Sequence, residues 1–366
     1  MQKEQLKTLE SLRFIAFCMI FFHHLLYTTI KLGTSAVTFF FVLSGFVFAF
    51  AYRDYFSQLS INKLKKFYIA RLSRVYPLHL LMFVISLPMI RFMPWEVNLN
   101  YAFFHVLLLH SYFPMAEQVL SFNGVSWFLS TLFFIYLLIP FVLFALQKMK
   151  IPQNIWSMIF LAVACFFIVI LVGYLLRHDL ENLSAGWWFI YISPYMRFFD
   201  FMIGLLTGLI TLRFRELNLL SKIGSNLFTF AELLVLFSFG YMVYYTQFLS
   251  AKYTFLFYSS FFLPFSVLLV FVFSFQKGHV STVLSNKLLV YLGSLSFTMF
   301  MIHSLFISGM VAYFRTTVML NIDTYLDGHR MTSQLLLLFV IICVSDVVVR
   351  YYEAPLRQKI MSFFIL

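Results

Sequence analysis

Glu10-Ser-Leu-Arg13-Phe-Ile-Ala-Phe-Cys-Met-Ile-Phe-Phe-His23-His24 is the stretch from which the fold is read. Arg13 and His24 are eleven positions apart, and at about 100° per residue a helix returns position i+11 to within roughly 20° of position i. At about 1.5 Å per residue, the two side chains stand some 16 Å apart along one stripe. A cation at the edge of an apolar helix and an imidazole deep within it are costly, which marks both as candidates for a function. The expected roles are a donor-side anchor at Arg13 and a catalytic base at His24.

Around that helix the composition is that of a membrane protein. The 366 residues are 62% hydrophobic and only 11% charged, with 51 Phe and a mean hydropathy of +0.90. Soluble domains carry about 25% charged residues. Repeated apolar runs long enough to span a bilayer point to helices rather than a barrel. The expected fold is an all-α integral membrane protein, one domain over 1–366 with no appended soluble domain. About ten transmembrane helices are expected, at 11–28, 33–52, 76–93, 126–146, 154–176, 194–212, 226–246, 254–275, 288–312 and 333–350. The first run has no small-residue cleavage site and keeps Arg13 and the histidine pair, so it reads as a retained span and not a signal peptide. Cys18, Cys165 and Cys343 all fall in expected spans, without metal or redox spacing. With the N-terminus inside, 19 of the 26 Lys and Arg residues lie on inward segments. The positive-inside rule then puts both termini in the cytoplasm and accounts for the net charge of +12 without nucleic acid.

Further along, Ser44-Gly45 offers small residues for close helix approach. The segment from Asn62 to Tyr76 reads as an interfacial amphipathic helix running into span three, with Pro77 in the first turn of that span. Lys63, Lys65 and Lys66 suit anionic lipid headgroups, whereas Arg71 and Arg74, at i,i+3, can converge on one phosphate-bearing ligand. The long outer stretch 94–125 contains Trp95, His105, His110 and Pro114. Five residues apart on a helix, the two histidines would face different ways, which argues against a shared zinc site and for interfacial or structural roles. Trp127 and Tyr136 suit interface anchors. Arg197 and Asp200, also at i,i+3, are expected to pair structurally. Glu232 and Asp346 are lone acids, each a buried hydrogen-bond anchor or the partner of an unidentified Arg. His303 is either a core histidine or part of a site.

The chain contains no Gly-x-Ser-x-Gly elbow, phosphate-cradling glycine loop, His-Glu-x-x-His or Cys-x-x-Cys. What is present suits transfer of a group from an anionic donor to a hydroxyl, with histidine taking the hydroxyl proton. Six motifs in order then resemble the acyltransferase 3 family of transmembrane O-acyltransferases. They are Glu10-x-x-Arg13 with His24, Phe-Phe-Val-Leu-Ser44-Gly45-Phe, Arg71-x-x-Arg74-x-x-Pro77, Arg197-x-x-Asp200, Tyr291-Leu-Gly-x-x-Ser296 reaching His303, and Glu353-x-Pro355-x-Arg357.

The resemblance implies a bacterial cytoplasmic-membrane enzyme with acyl-coenzyme A, most often acetyl-CoA, as donor and no metal. Arg71, Arg74 and Arg13 would hold the donor, and Glu10, Arg13 and His24 would form the catalytic set. Ser44, Trp127, Arg197, Asp200, His303 and Glu353 are the other candidate site residues. The acceptor would be a surface glycan or lipid-linked glycan such as an O-antigen, exopolysaccharide or capsule, presented at or beyond the outer face, with membrane lipid as the other partner. One position departs from the family pattern: many members carry an acid where this chain has Leu132, after Trp127. Direct transfer and an acyl-histidine intermediate both stay open. A second class of function, a carrier of acyl groups or lipid-linked sugars, and a third, transfer of succinyl or another short acyl group, compete with O-acetylation.

Overall fold

The computed structural model describes residues 6–26, 30–92, 98–180, 184–249, 253, 256, 258, 260–317 and 330–365. Its long helices are α1 (Lys7–Leu26), α2 (Leu32–Tyr52) and α3 (Ile61–Ser86). Two short helices, α4 (Tyr101–Val106) and α5 (Ala116–Leu120), precede α6 (Trp127–Lys148), α7 (Ile155–Leu175), α8 (Pro194–Glu216) and α9 (Ser225–Tyr245). The chain continues with α10 (Leu263–Ser274), α11 (His279–Leu284), α12 (Lys287–Thr317), α13 (Arg330–Val348) and α14 (Ala354–Ile365). No strand occurs among the described residues.

Several starts are written in the sequence. The Ser60 hydroxyl accepts from Lys63 N–H, the Asn154 side chain from Trp156 and Ser157, and the Ser193 hydroxyl from Met196, with Pro194 opening α8. Each cap satisfies a backbone donor that helix geometry leaves free.

Nine helical segments among the described residues are long and apolar enough to cross a membrane. The expected span 254–275 is the exception. Its described residues include the 12-residue α10, by itself shorter than a bilayer crossing needs, and part of the remainder, with Trp95 of the outer stretch, lies outside the described residues.

Two boundaries differ from expectation. The amphipathic segment and span three are one continuous helix, α3, with Pro77 in its interior rather than its first turn. The turns before the proline are already helical from Ile61, so the lost N–H falls mid-helix. The last span also runs on beyond residue 350. A π-helical turn, Val349–Glu353, joins α13 to α14 immediately before Pro355. A π-turn inserts one extra residue just where proline cannot donate, so the helix continues instead of stopping.

The core is organised by two close, parallel crossings. On α2 and α8, a Cβ on Gly45 would sit 1.9 Å from the Phe201 carbonyl oxygen, and one on Gly204 1.9 Å from that of Val42. The small-residue expectation for Ser44-Gly45 is thus met by Gly45, while Ser44 is half-buried beside it. On α1 and α12, a Cβ on Gly293 would lie 1.9 Å from the Glu10 carbonyl oxygen. At the start of α1 the hydroxyls of Thr8 and Ser11 donate to the carbonyls of Phe273 (2.7 Å) and Leu284 (2.5 Å). Because α1 and α12 run in the same direction, the second half of one lies against the second half of the other.

Candidate active site

That register places His24 against His303. Nδ1 of His24 is 2.9 Å from Nε2 of His303, and Nδ1 of His303 donates to the Phe300 carbonyl at 2.7 Å. Phe17 meets the His303 ring edge-on, with centroids 5.7 Å apart. His303 is fully buried, while His24 keeps partial exposure. His23 points elsewhere on the helix and packs against Gly33, where a Cβ would come within 2.5 Å of its ring.

A basic cluster occupies the other end of the α1 stripe. Nη1 of Arg13 donates to both carboxylate oxygens of Glu10 at 3.0 and 3.1 Å, with the pair only 21% and 28% exposed. Arg71 stands in an aromatic box. Its guanidinium lies 4.8 Å from the Phe48 ring, 4.9 Å from Tyr52, 5.5 Å from Tyr136 and 5.7 Å from Phe67, and it donates to the Tyr52 hydroxyl at 2.6 Å. Its Nε is buried without a partner. Arg74 lies within the electrostatic reach of Arg13, Arg71, Arg357 and Glu353. Glu353 itself accepts from the Thr298 hydroxyl at 2.6 Å. Four guanidinium groups therefore share this region with two carboxylates, Glu10 and Glu353. The excess positive charge and the orphaned Nε fit an anionic ligand with several phosphate oxygens.

The structure thus brings Glu10, Arg13, Arg71, Arg74 and Glu353 together at one end, and His24 and His303 at the other. Trp127, Arg197 and Asp200 belong to a different cluster. Arg197 and Asp200 are both fully buried and pair at 2.5 Å. Arg197 also donates to the carbonyls of Tyr191 and Tyr258, each at 2.7 Å, and lies over the rings of Phe41 and Tyr191. Trp127 packs on those same two rings. This is a clamp that ties the start of α8 to α2 and to the chain at Tyr258. Glu232 is a hydrogen-bond anchor: it accepts from the backbone of Gly278 and Ser281 and from the Ser281 hydroxyl, capping α11. Asp346 has found its arginine, Arg350, one turn along, and also the Tyr291 hydroxyl.

The reading of His105 and His110 as residues on different faces of a helix is corrected. Helix α4 ends at Val106, and Leu108 turns left-handed (φ 57°), so helical spacing does not apply between them. The two rings stack at 3.9 Å and 7°, and His79 of α3 lies parallel to His110 at 6.1 Å. His79 Nε2 donates to the His105 carbonyl and His105 Nε2 to the Gln118 carbonyl, both at 2.7 Å. Burial pushes His105 down to about 3 and His110 well below the usual histidine range, so both stay neutral. The rings are stacked rather than convergent, and no metal-holding group of three or more such side chains occurs among the described residues. They brace the 98–126 segment against α3. Asn123 of that segment also donates to the Met301 carbonyl, two residues from His303.

The sequence reading left out Phe48, Tyr52 and Phe67 of the box around Arg71, Thr298 and His79, took Tyr136 for an interface anchor where it is buried as the fourth ring of that box, and did not count Arg357 among the site residues. Arg357 was signalled by its place at the end of Glu353-x-Pro355-x-Arg357. The box had no local signal, because its rings come from three helices.

Comparison with known proteins gives a consistent result. The model of the acyltransferase 3 family, described as an acyltransferase domain, matches residues 6–350. Over 192 residues the chain is 29% identical to "Acyltransferase MdmB" of Streptomyces mycarofaciens. That match covers 49% of this chain and 47% of the relative, so the chain spans about half the length of the curated protein it resembles. No solved structure matches.

Proposed function

The chain belongs to the acyltransferase 3 family, and from that premise we propose that it moves an acetyl group from acetyl-CoA to a hydroxyl of a bacterial surface glycan. It does so in the cytoplasmic membrane, with the basic end of the bundle facing the cytoplasm. The observation that carries this reading is the α1 stripe, which joins the arginine cluster around Arg13, Arg71 and Arg74 to the imidazole of His24. Their separation along the helix, about 16 Å, suits a donor whose phosphates stay among the arginines while its extended pantetheine arm reaches the histidine.

At that point His24 removes the proton from the acceptor hydroxyl. The oxygen attacks the thioester carbonyl carbon, a C–O bond forms, the C–S bond breaks, and the imidazolium returns the proton to the departing thiolate. Arg13, held by Glu10, lines the donor's route.

The experiment is acetyl transfer by the purified protein in proteoliposomes, using labelled acetyl-CoA and a glycan acceptor. Wild-type protein should transfer label, and His24→Ala at the same membrane level should lose nearly all of it. Undiminished transfer by His24→Ala refutes the base assignment. Donor binding without turnover on any glycan acceptor supports a carrier instead, and mass spectrometry of the product identifies a succinyl or other short acyl group.

A further inference from the structure

The hydrogen bonds around His303 have a definite direction. A carbonyl oxygen only accepts, so the 2.7 Å contact with Phe300 requires a proton on Nδ1 of His303. A neutral imidazole then carries its lone pair on Nε2. That atom is 2.9 Å from Nδ1 of His24, so the proton between them belongs to His24. The opposite arrangement needs an imidazolium at His303, which is fully buried with Phe17 and Phe300 as its ring neighbours besides His24 and no carboxylate paired with it among the described residues. Such a cation is costly away from water.

We propose that His303 is a positioning residue that holds His24 in the tautomer protonated at Nδ1, which makes Nε2 the atom that takes the acceptor's proton. The proposal rests on the reading of His24 as general base. Three features suit His303 to this work. Its ring is leashed to its own helix through Phe300, its face is set by the edge of Phe17, and the Met301 carbonyl nearby is tied to Asn123. After proton transfer the imidazolium of His24 still donates from Nδ1 to His303, so the charge forms against an acceptor already in place. His303 brings no negative charge of its own, so it orients and supports the imidazolium without trapping it.

Two variants of the full chain test this in proteoliposomes, with acetyl-CoA and a glycan acceptor. His303→Leu removes the acceptor, and His303→Gln keeps an oxygen that can take its place. Leu should lower kcat about 100-fold with the KM for acetyl-CoA unchanged, and Gln should recover at least tenfold of that loss. A Leu variant with wild-type kcat, or a Gln variant as slow as Leu at equal membrane level and melting temperature, overturns the proposal. Nitrogen-15 NMR of histidine-labelled wild-type protein, with His24 assigned by its loss in His24→Ala, gives an answer that needs no His303 variant. Protonation at Nδ1 of His24 is expected, and protonation at Nε2 overturns the assignment. The two levels separate cleanly. An active His24→Ala removes the base itself, whereas an inactive His24→Ala beside a fully active His303→Leu removes only the tautomer assignment.

Discussion

Gly293→Ala tests whether the contact between α1 and α12 sets the geometry of the histidine pair. A Cβ at this position would stand 1.9 Å from the Glu10 carbonyl oxygen and 2.5 Å from its carbon. Both are backbone atoms inside a helix, so neither can swing away. Ordinary contact begins near 3.4 Å, so the helices must part by about 1.5 Å. The hydroxyls of Thr8 and Ser11 resist, because they tether the start of α1 to Phe273 and Leu284. Overpacking of this kind costs about 1–3 kcal/mol. A rigid retreat would carry the 2.9 Å contact between His24 and His303 to about 4.4 Å, beyond hydrogen-bonding reach. Misplacing a reacting group by about 1 Å costs on the order of 100-fold in rate. The assay is acetyl transfer in proteoliposomes together with the melting temperature in detergent, and both should fall. Gly240→Ala is the control: nothing lies within 4 Å of its Cβ. In the interior of α9 it should stabilise by about 0.5–1 kcal/mol and leave turnover alone. A Gly293→Ala protein with wild-type rate and melting temperature would refute the reasoning.

Two further outcomes follow from the two ends of the bundle. Arg71→Lys keeps the charge but loses the flat guanidinium that four rings and the Tyr52 hydroxyl hold in place, so CoA affinity measured by calorimetry should drop about tenfold or more, and unchanged affinity would remove Arg71 from the donor site. Below pH 6.5 the unfolded chain binds protons at His105 and His110 that the fold refuses, His105 being held down to about 3. Stability should therefore fall with pH by about 1.4 kcal/mol per unit for each such histidine, read as a lower melting temperature at pH 5.0 than at pH 7.5, and a flat profile would mean that the stacked rings are not held neutral.

The parts of this chain legible in sequence are those where one helix carries the whole message. Arg13 and His24 lie on α1 and need only the helical period to be related, and Arg197 with Asp200 needs only i,i+3 spacing. The aromatic box of Arg71 draws on α2, α3 and α6, and the partner of His24 lies 279 residues away. No local pattern encodes such meetings. His105 and His110 misled because a helical period was applied across a chain that leaves the helix at Val106 and turns left-handed at Leu108. Pro77 misled in the opposite sense: proline often marks a helix start, but α3 is already helical from Ile61 and runs on through it.

Gly293 shows why a motif can be quoted correctly before its meaning is visible. In sequence it is one small residue in Tyr291-Leu-Gly-x-x-Ser296, ten positions before His303. In the fold it is where α12 comes close enough to touch the backbone at Glu10, the residue that holds Arg13. From that contact the two helices run in parallel, and His303 arrives opposite His24. The same contact therefore sets the position of the basic cluster at one end and of the imidazole pair at the other. Because α1 is a continuous helix between them, shifting it at Glu10 moves both ends together. Donor binding and turnover should consequently fail together in Gly293→Ala. His303→Leu, which leaves the Glu10 contact intact, should impair turnover alone.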